Sequence, residues 1–411
     1  MPEINPVSAE NTTRKYRILA FLPNKCGKEW GFWYRELGPI VLTLRSMGHD
    51  AWLVLLRSDE LPSGKEPVIA ASQEELEDPQ WWKSHSPDAV LLNLWAASRW
   101  EGVRTAVRQA TPRLIEKFDT SGIFCPDIWF GRYLYEGYSH RRDAGRSALR
   151  SALTVFARAC LLKAMPGLLD KKRVECISRM PVLTAETPLA VERTKRYIRM
   201  FGKPVPRVVC MPHAVDETEL RSIAGVVKEN KIVSVGRWDA HQKNFPLLLE
   251  ALHRFLALYP DWSADLPGKL PDGAEELTAK IPKEILARIN LPGFTQREEL
   301  SGFYRKSKIF FMSSRHESFN IAAAEALCCG CSVVGSAAIA SVPFFCGRKS
   351  GTPVAHYSVK SMVDSLCVEA EAWKNGDRDP VAISTGWIPT LGSQRVTRQV
   401  LEAFGFDAPP L

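Results

Sequence analysis

Short apolar runs alternate along the chain with longer segments whose apolar residues have helical spacing. In the first half, the runs typical of buried strands are RILAFLP, AWLVLL, AVLLNLW, PRLIEKFD, VECISR and RVVCMP. The clearest helices are WYRELGPIVLTLRSMG, which ends at Gly48, and ETPLAVERTKRYIRMF. This alternation predicts a parallel sheet whose strands are joined by helical crossovers.

A second series of the same kind follows the polar run DETELRSIAGVVKENK. Its predicted strands are KIVSVG, INLPGF, KIFFMSS and CSVVGS, and its helices include NFPLLLEALHRFLALY and REELSGFYRKS. We therefore predict an α/β protein with two Rossmann-like domains facing across a cleft, where parallel sheets bind their ligands. The predicted domains are residues 1–220 and 221–385, and residues 386–411 are expected to form a helix that packs back toward the first domain.

Composition narrows the class of protein. The length of 411 residues suits about two domains, and 45% apolar with 24% charged residues is typical of a globular protein. No apolar run approaches the roughly 18 residues that span a bilayer, and the polar N-terminus lacks the apolar core of a secretory signal. We expect a cytoplasmic protein whose ten cysteines are reduced and buried.

The net charge of +8 is concentrated in one segment. Residues 132–173 carry ten Lys or Arg against three acids, a balance of +7. Such a patch suits an anionic partner, and peripheral contact with the inner face of an anionic membrane is one interpretation; a solvated helical face is the other. Leu149, Leu153 and Phe156 share one face here, and we expect that narrow stripe to pack into the core rather than onto a membrane.

The stretch HESFNIAAAEALCCGC, residues 316–331, admits two interpretations. Its C-x-x-C end resembles a metal-binding knuckle, but the chain offers no second cysteine pair at ligand spacing. Its beginning places Glu317 in a turn and Glu325 on an otherwise apolar helix, where an acid is costly without donors. A ribose offers such donors. A buried ion pair is the alternative for Glu325, and a cap-region acid is the alternative for Glu317.

A second polar loop, VGRWDAHQKN, lies between a predicted strand and a predicted helix. Arg237 and Lys243 would give a guanidinium fork and an ammonium near a helix N-terminus, a combination that suits a diphosphate. The helix that Ser318 or Asn320 would cap points its free N–H groups at the same cleft.

These segments resemble the retaining GT-B glycosyltransferases, family 4 in particular. SSRHESFNIAAAEALCCGCSVVGS is similar to that family's signature of two glutamates separated by seven residues, and VGRWDAHQKNFPLLLEAL is similar to its Gly-Arg…Lys phosphate segment. VVCMPHAVD resembles its Pro-Asn-Gly-Val-Asp turn. The resemblance is specific over most of residues 205–360 and looser over residues 15–204.

The resemblance implies a role for each matching residue. Arg237 and Lys243 would neutralise the diphosphate of a nucleoside-diphosphate sugar, with UDP or GDP expected, and Glu325 would hold the ribose. Glu317 would contact the donor sugar near its reacting carbon, and the N–H groups of Asn320 and Ile321 would take phosphate oxygens. The implied reaction needs neither a cofactor nor a metal, and it retains the anomeric configuration.

The chain also departs from the family pattern. Glycine is usual at the positions of Ser318 and Asn320, and the glycine-rich strand end before LPGF is not recognisable in DWSADLPGKLPDGAEE. NKCGKEWGFWYREL replaces the usual Gly-Gly loop, with Gly27 and Gly31 as candidate glycines. Its aromatic residues could stack on an acceptor or simply pack a helix.

Other candidates come from the residues alone. Asp119 follows a predicted strand and is our candidate for orienting or deprotonating the acceptor hydroxyl, although a turn-forming role is equally consistent with its position. His213 and His241 flank the cleft loops, and we interpret them as structural hydrogen-bonding residues. We interpret Asp377 and Asp379 as a solvated turn rather than a metal-binding pair.

These observations favour a metal-independent glycosyltransferase that moves a sugar to an acceptor hydroxyl on a glycan, a lipid-linked molecule or a small molecule. A sugar-nucleotide epimerase or a phosphorylase of the same fold is the alternative. A metal- or nucleic-acid-binding protein is the remote alternative, and the chain lacks the interleaved aromatic and basic residues typical of nucleic-acid binding.

Overall fold

Two separate parallel sheets organise the molecule. The computed structural model describes residues 14–25, 37–58, 67–118, 130–165, 170–216 and 225–407. The first sheet has seven strands in the order β3-β2-β1-β4-β5-β6-β7, and the second has six in the order β10-β9-β8-β11-β12-β13. Each order places the first strand of its sheet beside the fourth, which is the Rossmann arrangement with a topological switch point. The predicted α/β fold with two Rossmann-like sheets is confirmed.

The first sheet and its helices are built from residues 17–210. The strands are β1 (Arg17–Lys25), β2 (Asp50–Leu56), β3 (Val68–Ala71), β4 (Ala89–Asn93), β5 (Leu114–Phe118), β6 (Val182–Ala185) and β7 (Arg207–Cys210). The helices are α1 (Gly38–Ser46), α2 (Gln73–Glu77), α3 (Pro79–Ser84), α4 (Glu101–Ala110), α5 (Phe130–Asp143), α6 (Ala148–Ala164), α7 (Lys171–Ser178) and α8 (Pro188–Met200).

The second sheet is built from residues 229–354. Its strands are β8 (Glu229–Val233), β9 (Ser263–Asp265), β10 (Ile289–Asn290), β11 (Ser307–Met312), β12 (Ser332–Ser336) and β13 (Gly351–Val354). Its helices are α9 (Phe245–Leu258), α10 (Ala274–Thr278), α11 (Lys283–Leu286), α12 (Arg297–Lys306), α13 (Ile321–Cys328), α14 (Ser341–Cys346) and α15 (Val359–Lys374), and the chain ends with α16 (Pro380–Leu391) and α17 (Ser393–Phe404).

The last two helices pack against different halves of the molecule. Trp387 of α16 is buried in the core of the second half, whereas Val400 and Phe404 of α17 are buried with strand β1 and helix α1 of the first. Val215 joins the crossing point, because its N–H donates to the carbonyl of Leu391 and its carbonyl accepts from the N–H of Ser393. The chain therefore returns to the first half at residues 391–393.

One predicted strand is wrong, and strands β3, β9 and β13 were not predicted. VECISR is helix α7, in which Val174 and Ile177 are buried one turn apart, and the strand follows it as β6. Short apolar runs cannot be divided into strand and helix by periodicity alone. Strand β9 was missed in DWSADLPG. The loop after β9 contains a glycine that no larger residue could replace: a Cβ added to Gly268 would lie 1.8 Å from the carbonyl oxygen of Gly236.

The predicted packing of the apolar stripe on α6 is also wrong. Leu149, Leu153 and Phe156 are exposed and do not pack into the core. The buried face of α6 carries Ser151, Val155 and Ala159 instead. Helical spacing identifies residues that share a face, but which face another helix covers depends on the tertiary contacts.

Candidate functional site

The loop after β8 and the loop before α13 meet at the carboxyl edge of the second sheet. Lys243 Nζ lies 2.6 Å from Glu317 Oε1, although 74 residues separate them. Ser314 Oγ donates to the same carboxylate oxygen over 2.7 Å, and Gln242 Nε2 donates to Oε2 over 3.1 Å. Glu317 is therefore held by donors from both loops, and the interpretation of Glu317 as only a cap-region acid does not describe these contacts.

Asn320 explains why a residue other than glycine can begin α13. Its φ of 72° is left-handed, a conformation that glycine adopts freely and asparagine tolerates better than most residues. Its side-chain oxygen accepts from the N–H of Ala323 over 3.1 Å, and its Nδ2 donates to Glu317 Oε1 over 3.3 Å. Asn320 thus caps the helix and supports the site. Within the described residues, no hydrogen-bond acceptor faces the N–H groups of Asn320 and Ile321.

Glu325 is buried in α13 and contacts Arg297 and Tyr304 within its own domain. Arg297 Nη1 lies 2.7 Å from Glu325 Oε1, and the Tyr304 hydroxyl donates to Oε2 over 3.1 Å. Burial and the charge of Glu325 hold the pKa of Tyr304 well above its usual range, so the phenol keeps the proton it donates. The buried ion pair, one of the two interpretations of Glu325, describes these contacts; the ribose contact stays a prediction.

Arg237 lies in the loop after β8 and is exposed. It lines a polar pocket of about 280 Å³ together with Asp239 and His241, and helix α5 of the first half contributes Arg142 and Asp143. Two guanidinium groups from opposite halves of the molecule therefore line one pocket, together with the carboxylates of Asp143 and Asp239.

Helix α5 contacts both loops of the site, and no pattern in the sequence predicts this contact. Asp143 Oδ1 accepts from the N–H of Gln242 over 3.1 Å, and Ser139 Oγ lies 2.8 Å from His241 Nδ1. Burial alone would raise the pKa of Asp143, but hydrogen bonds from His316 and from Gln242 lower it below its usual range. The carboxylate of Asp143 consequently stays ionised at the interface between the two halves.

A buried charged cluster lies at the carboxyl edge of the first sheet. Lys117 Nζ, at the end of β5, is 3.2 Å from His213 Nδ1, and Glu186 Oε1, just after β6, is 3.8 Å from His213 Nε2. The ring of His213 also lies 5.4 Å from that of Phe319 in the second half. His213 thus contacts residues of both halves, and its neighbours Lys117 and Glu186 were not foreseen.

Several candidate residues lie outside the described part of the chain. Gly27 and Asp119 are among them, and so are the neighbouring candidates Gly31, Trp30, Trp33 and Tyr34. Their roles stay predictions.

The cysteines of residues 316–331 are packing residues. Cys328 and Cys329 end α13, Gly330 has a φ of 75°, and Cys331 precedes β12 with its thiol donating to the carbonyl of Tyr304 over 3.0 Å. Burial raises the pKa of Cys331, so the metal-binding thiolate is disfavoured. In the described residues, no three His, Cys, Asp or Glu side chains are grouped to hold a metal.

The pair Asp377 and Asp379 has a local role. Asp379 begins α16, and its side chain accepts from the N–H of Val381 over 2.9 Å, so it is a helix cap. The described helices include none that is both long and apolar enough to cross a membrane.

Comparison with known proteins identifies the second half. Residues 216–366 match the family described as glycosyl transferases group 1. The similarity to that family therefore concerns this part of the chain. Its match to lipopolysaccharide core biosynthesis mannosyltransferase LpsB of Rhizobium meliloti (strain 1021) is 29% identical over 157 residues, which is 36% of this chain and 44% of the relative. The chain thus matches less than half the length of that curated relative.

Solved structures extend the likeness in fold to both halves. Anabaena Alr3699/HepE in complex with UDP has a TM-score of 0.64 at 14% identity, covering 95% of this chain and 99% of that one. A glycosyltransferase from Rickettsia africae ESF-5 has a TM-score of 0.64 at 13% identity, with 95% and 98% covered. The apo lipopolysaccharide outer core galactosyltransferase WaaB has a TM-score of 0.59 at 13% identity, with 94% and 99% covered. The predicted GT-B fold is confirmed.

Proposed function

We propose that the protein is a retaining, metal-independent glycosyltransferase of family 4 that moves a sugar from a nucleoside-diphosphate sugar to an acceptor hydroxyl. The observation that carries the proposal is the Lys243–Glu317 contact, which joins the two predicted donor loops beside a pocket lined by Arg237. The matched LpsB is named a mannosyltransferase, and the similar HepE fold has been solved with UDP and with UDP-glucose.

The donor is assigned to the second half. Arg237 and Lys243 would bind the diphosphate, together with the N–H groups of Asn320 and Ile321 at the start of α13. Glu325 would accept from the ribose hydroxyls. That role requires the ribose to share the carboxylate with Arg297 and Tyr304, or to displace one of them.

The reaction breaks the bond between the sugar carbon and the diphosphate oxygen and forms a bond from that carbon to the acceptor oxygen. The diphosphate leaves with the bonding electrons, so fixed positive charge at Arg237 and Lys243 is the main stabilisation. Both oxygens of Glu317 already accept hydrogen bonds, which favours a positioning role over nucleophilic attack. We propose front-side attack within an ion pair, with the acceptor proton passing to a departing phosphate oxygen or to Asp119.

The acceptor is assigned to the first half, with Gly27 and Asp119 as predicted contacts. We also propose that residues 132–173, with their balance of +7, bring a cytoplasmic protein to the inner face of an anionic membrane. A membrane-bound acceptor would then be presented to the cleft.

Thermal unfolding in the presence of UDP, GDP, ADP and their sugars tests the donor assignment. We expect at least one nucleotide to raise Tm, with or without a chelator, because a ligand that binds only the folded state stabilises it. Lys243→Ala should remove the shift, whereas Lys360→Ala, on an exposed helical surface, should keep it. No stabilisation by any nucleotide would overturn the proposal.

Product analysis tests the reaction class. Transfer of labelled sugar to an acceptor, with the donor's anomeric configuration kept in the product by NMR, is the expected result. Conversion of the sugar without transfer would instead support the epimerase, and release by inorganic phosphate would support the phosphorylase.

A further inference from the structure

Helix α6 presents a stripe of apolar side chains to solvent. Leu149, Leu153 and Phe156 are 74%, 63% and 55% exposed, and they share one face of the helix. Single exposed apolar residues are common on protein surfaces, but adjacent ones on one helical face mark an interaction surface. The stripe therefore calls for a partner of apolar character.

The stripe forms one wall of a groove between α5 and α6. The groove has a volume of about 570 Å³, and it is lined from α5 by Leu134, Tyr135 and Tyr138 and from α6 by residues that include Ala152, Leu153 and Phe156. The helices approach closely on one side, because a Cβ on Gly137 would lie 2.9 Å from Val155 Cγ1. The groove is of the size and apolar character that suit a small ligand or an aliphatic chain.

The groove reaches the proposed donor site. The hydroxyl of Tyr135 accepts from Arg315 Nη1 over 2.7 Å, and the ring of Tyr138 lies 5.8 Å from that of His241. His241 also lines the polar pocket with Arg237. An occupant of the groove would thus lie with one end beside the loops that hold Glu317.

Basic residues accompany the stripe. Arg142, Arg146 and Arg150 are exposed at the end of α5 and the beginning of α6. Apolar residues flanked by arginines are the pattern of a surface that enters the boundary between lipid headgroups and acyl chains. An anionic lipid matches both the charge and the apolar lining, whereas a neutral apolar ligand would leave the arginines without a role.

We propose that the groove between α5 and α6 binds the aliphatic chain of an anionic lipid acceptor, drawn from a membrane surface on which Leu149, Leu153 and Phe156 insert. The lipid's polar head then lies toward Arg142 and the polar pocket, where its hydroxyl meets the donor sugar. This inference rests on the proposed function, and it assigns the acceptor's chemical class and the surface that presents it.

Vesicle sedimentation of the full chain tests the surface. We expect binding to vesicles of equimolar phosphatidylcholine and phosphatidylglycerol, weaker binding to phosphatidylcholine alone, and loss of binding with added salt. Replacing Leu149, Leu153 and Phe156 by serine should weaken binding by roughly tenfold per side chain, because each removes buried apolar area. The matched control, Leu258→Ser with Val368→Ser, removes equally exposed apolar residues from the second half and should leave binding unchanged.

Calorimetry with dodecyl phosphate below its micelle concentration tests the groove. Ala152→Trp should abolish binding of this single-chain probe by filling the groove, while vesicle binding stays within about twofold because the stripe remains. Ala157→Trp adds the same bulk elsewhere on the exposed surface of α6 and should bind the probe normally. Equal probe binding by both tryptophan variants would overturn the groove assignment.

Nucleotide-induced stabilisation separates the two proposals. If wild-type protein is stabilised by a nucleotide but binds neither anionic vesicles nor dodecyl phosphate, the groove proposal is wrong and the proposed function stands. If no nucleotide stabilises the protein, the proposed function fails whatever the vesicles show. Vesicle binding unaffected by the three serine substitutions would also overturn the assignment of this surface.

Discussion

Two ion pairs of nearly equal length have different surroundings. In the first half, Arg104 Nη2 lies 2.7 Å from Glu116 Oε1, and both side chains are 0% exposed. In the second half, Lys243 Nζ lies 2.6 Å from Glu317 Oε1, with side chains 17% and 8% exposed. Distance therefore does not distinguish a structural pair from a candidate site.

The difference lies in the elements that carry each pair. Arg104 and Glu116 come from α4 and β5, they make a second contact between Nε and Oε2 over 2.7 Å, and Arg104 also donates to the carbonyl of Ala97. Lys243 and Glu317 come from two loops, and the loop of Lys243 lines the polar pocket through Asp239 and His241. The first pair joins two regular elements in the core, whereas the second joins two loops at the carboxyl edge of the second sheet.

Breaking the Arg104–Glu116 pair should have the largest effect on stability. Arg104→Met leaves the Glu116 carboxylate buried without its bidentate partner, and we expect the free energy of unfolding to fall by about 3–5 kcal/mol. Urea denaturation measures the loss. The double variant Arg104→Met with Glu116→Leu should recover most of the stability, and a double variant as unstable as the single one would contradict the explanation.

The cap of α13 comes next. Asn320→Ala loses the hydrogen bond from the N–H of Ala323. It also places alanine in left-handed backbone, which asparagine tolerates better because its side chain can hydrogen-bond locally. We expect the free energy of unfolding to fall by about 2 kcal/mol. Glycine adopts left-handed backbone without strain, so Asn320→Gly should lower the free energy of unfolding by only a few tenths of about 1 kcal/mol. The comparison by thermal denaturation fails if alanine and glycine behave alike.

Removing an exposed cation should sharpen the contrast with Arg104. Arg237→Met should weaken binding of the stabilising nucleoside diphosphate by roughly 10-fold, because a charge-assisted contact to phosphate is lost. Tm without nucleotide should stay unchanged, since exposed substitutions alter stability little. Titration calorimetry measures the affinity, and an unaltered affinity would remove Arg237 from the donor site.

The smallest effect concerns His241 at the contact with α5. Burial, followed by the charge of Arg315, lowers the pKa of His241, although Asp143 opposes this. As pH drops, His241 in the unfolded chain therefore takes up a proton before His241 in the folded protein does. The free energy of unfolding should fall, by less than about 1 kcal/mol, as pH drops from about 7.5 through 6.5, the usual pKa of histidine. His241→Gln should remove that part of the pH dependence of Tm; an identical slope in both proteins would refute the assignment.

The elements that were predicted correctly in the second half come from long and strongly patterned segments. KIFFMSS and CSVVGS became β11 and β12, and the helix predicted from NFPLLLEALHRFLALY became α9. The errors fell on weak signals. The three-residue strand β9 has too few residues to show a period, and VECISR is short enough to suit either a strand or a helix.

The predicted donor residues were brought together only in part. Lys243, Glu317 and Asn320 form one network, Arg237 lines the adjacent pocket, and Glu325 contacts Arg297 and Tyr304 in its own domain. The spacing of the two glutamates along the chain does not show that Glu317 contacts Lys243 from another loop and that Glu325 contacts Arg297 at the start of α12. The participation of α5 had no sequence signal at all.

By itself, the sequence determined the alternation of strands and helices, and with it two parallel sheets whose carboxyl edges carry polar loops. It also determined which residues share a face, because side-chain direction follows from the local backbone period. Only the tertiary structure decided that Lys243 meets Glu317, that α5 contacts the donor loops and that the apolar stripe of α6 faces outward. Those contacts join distant parts of the chain, and a local pattern does not specify what will cover the face it creates.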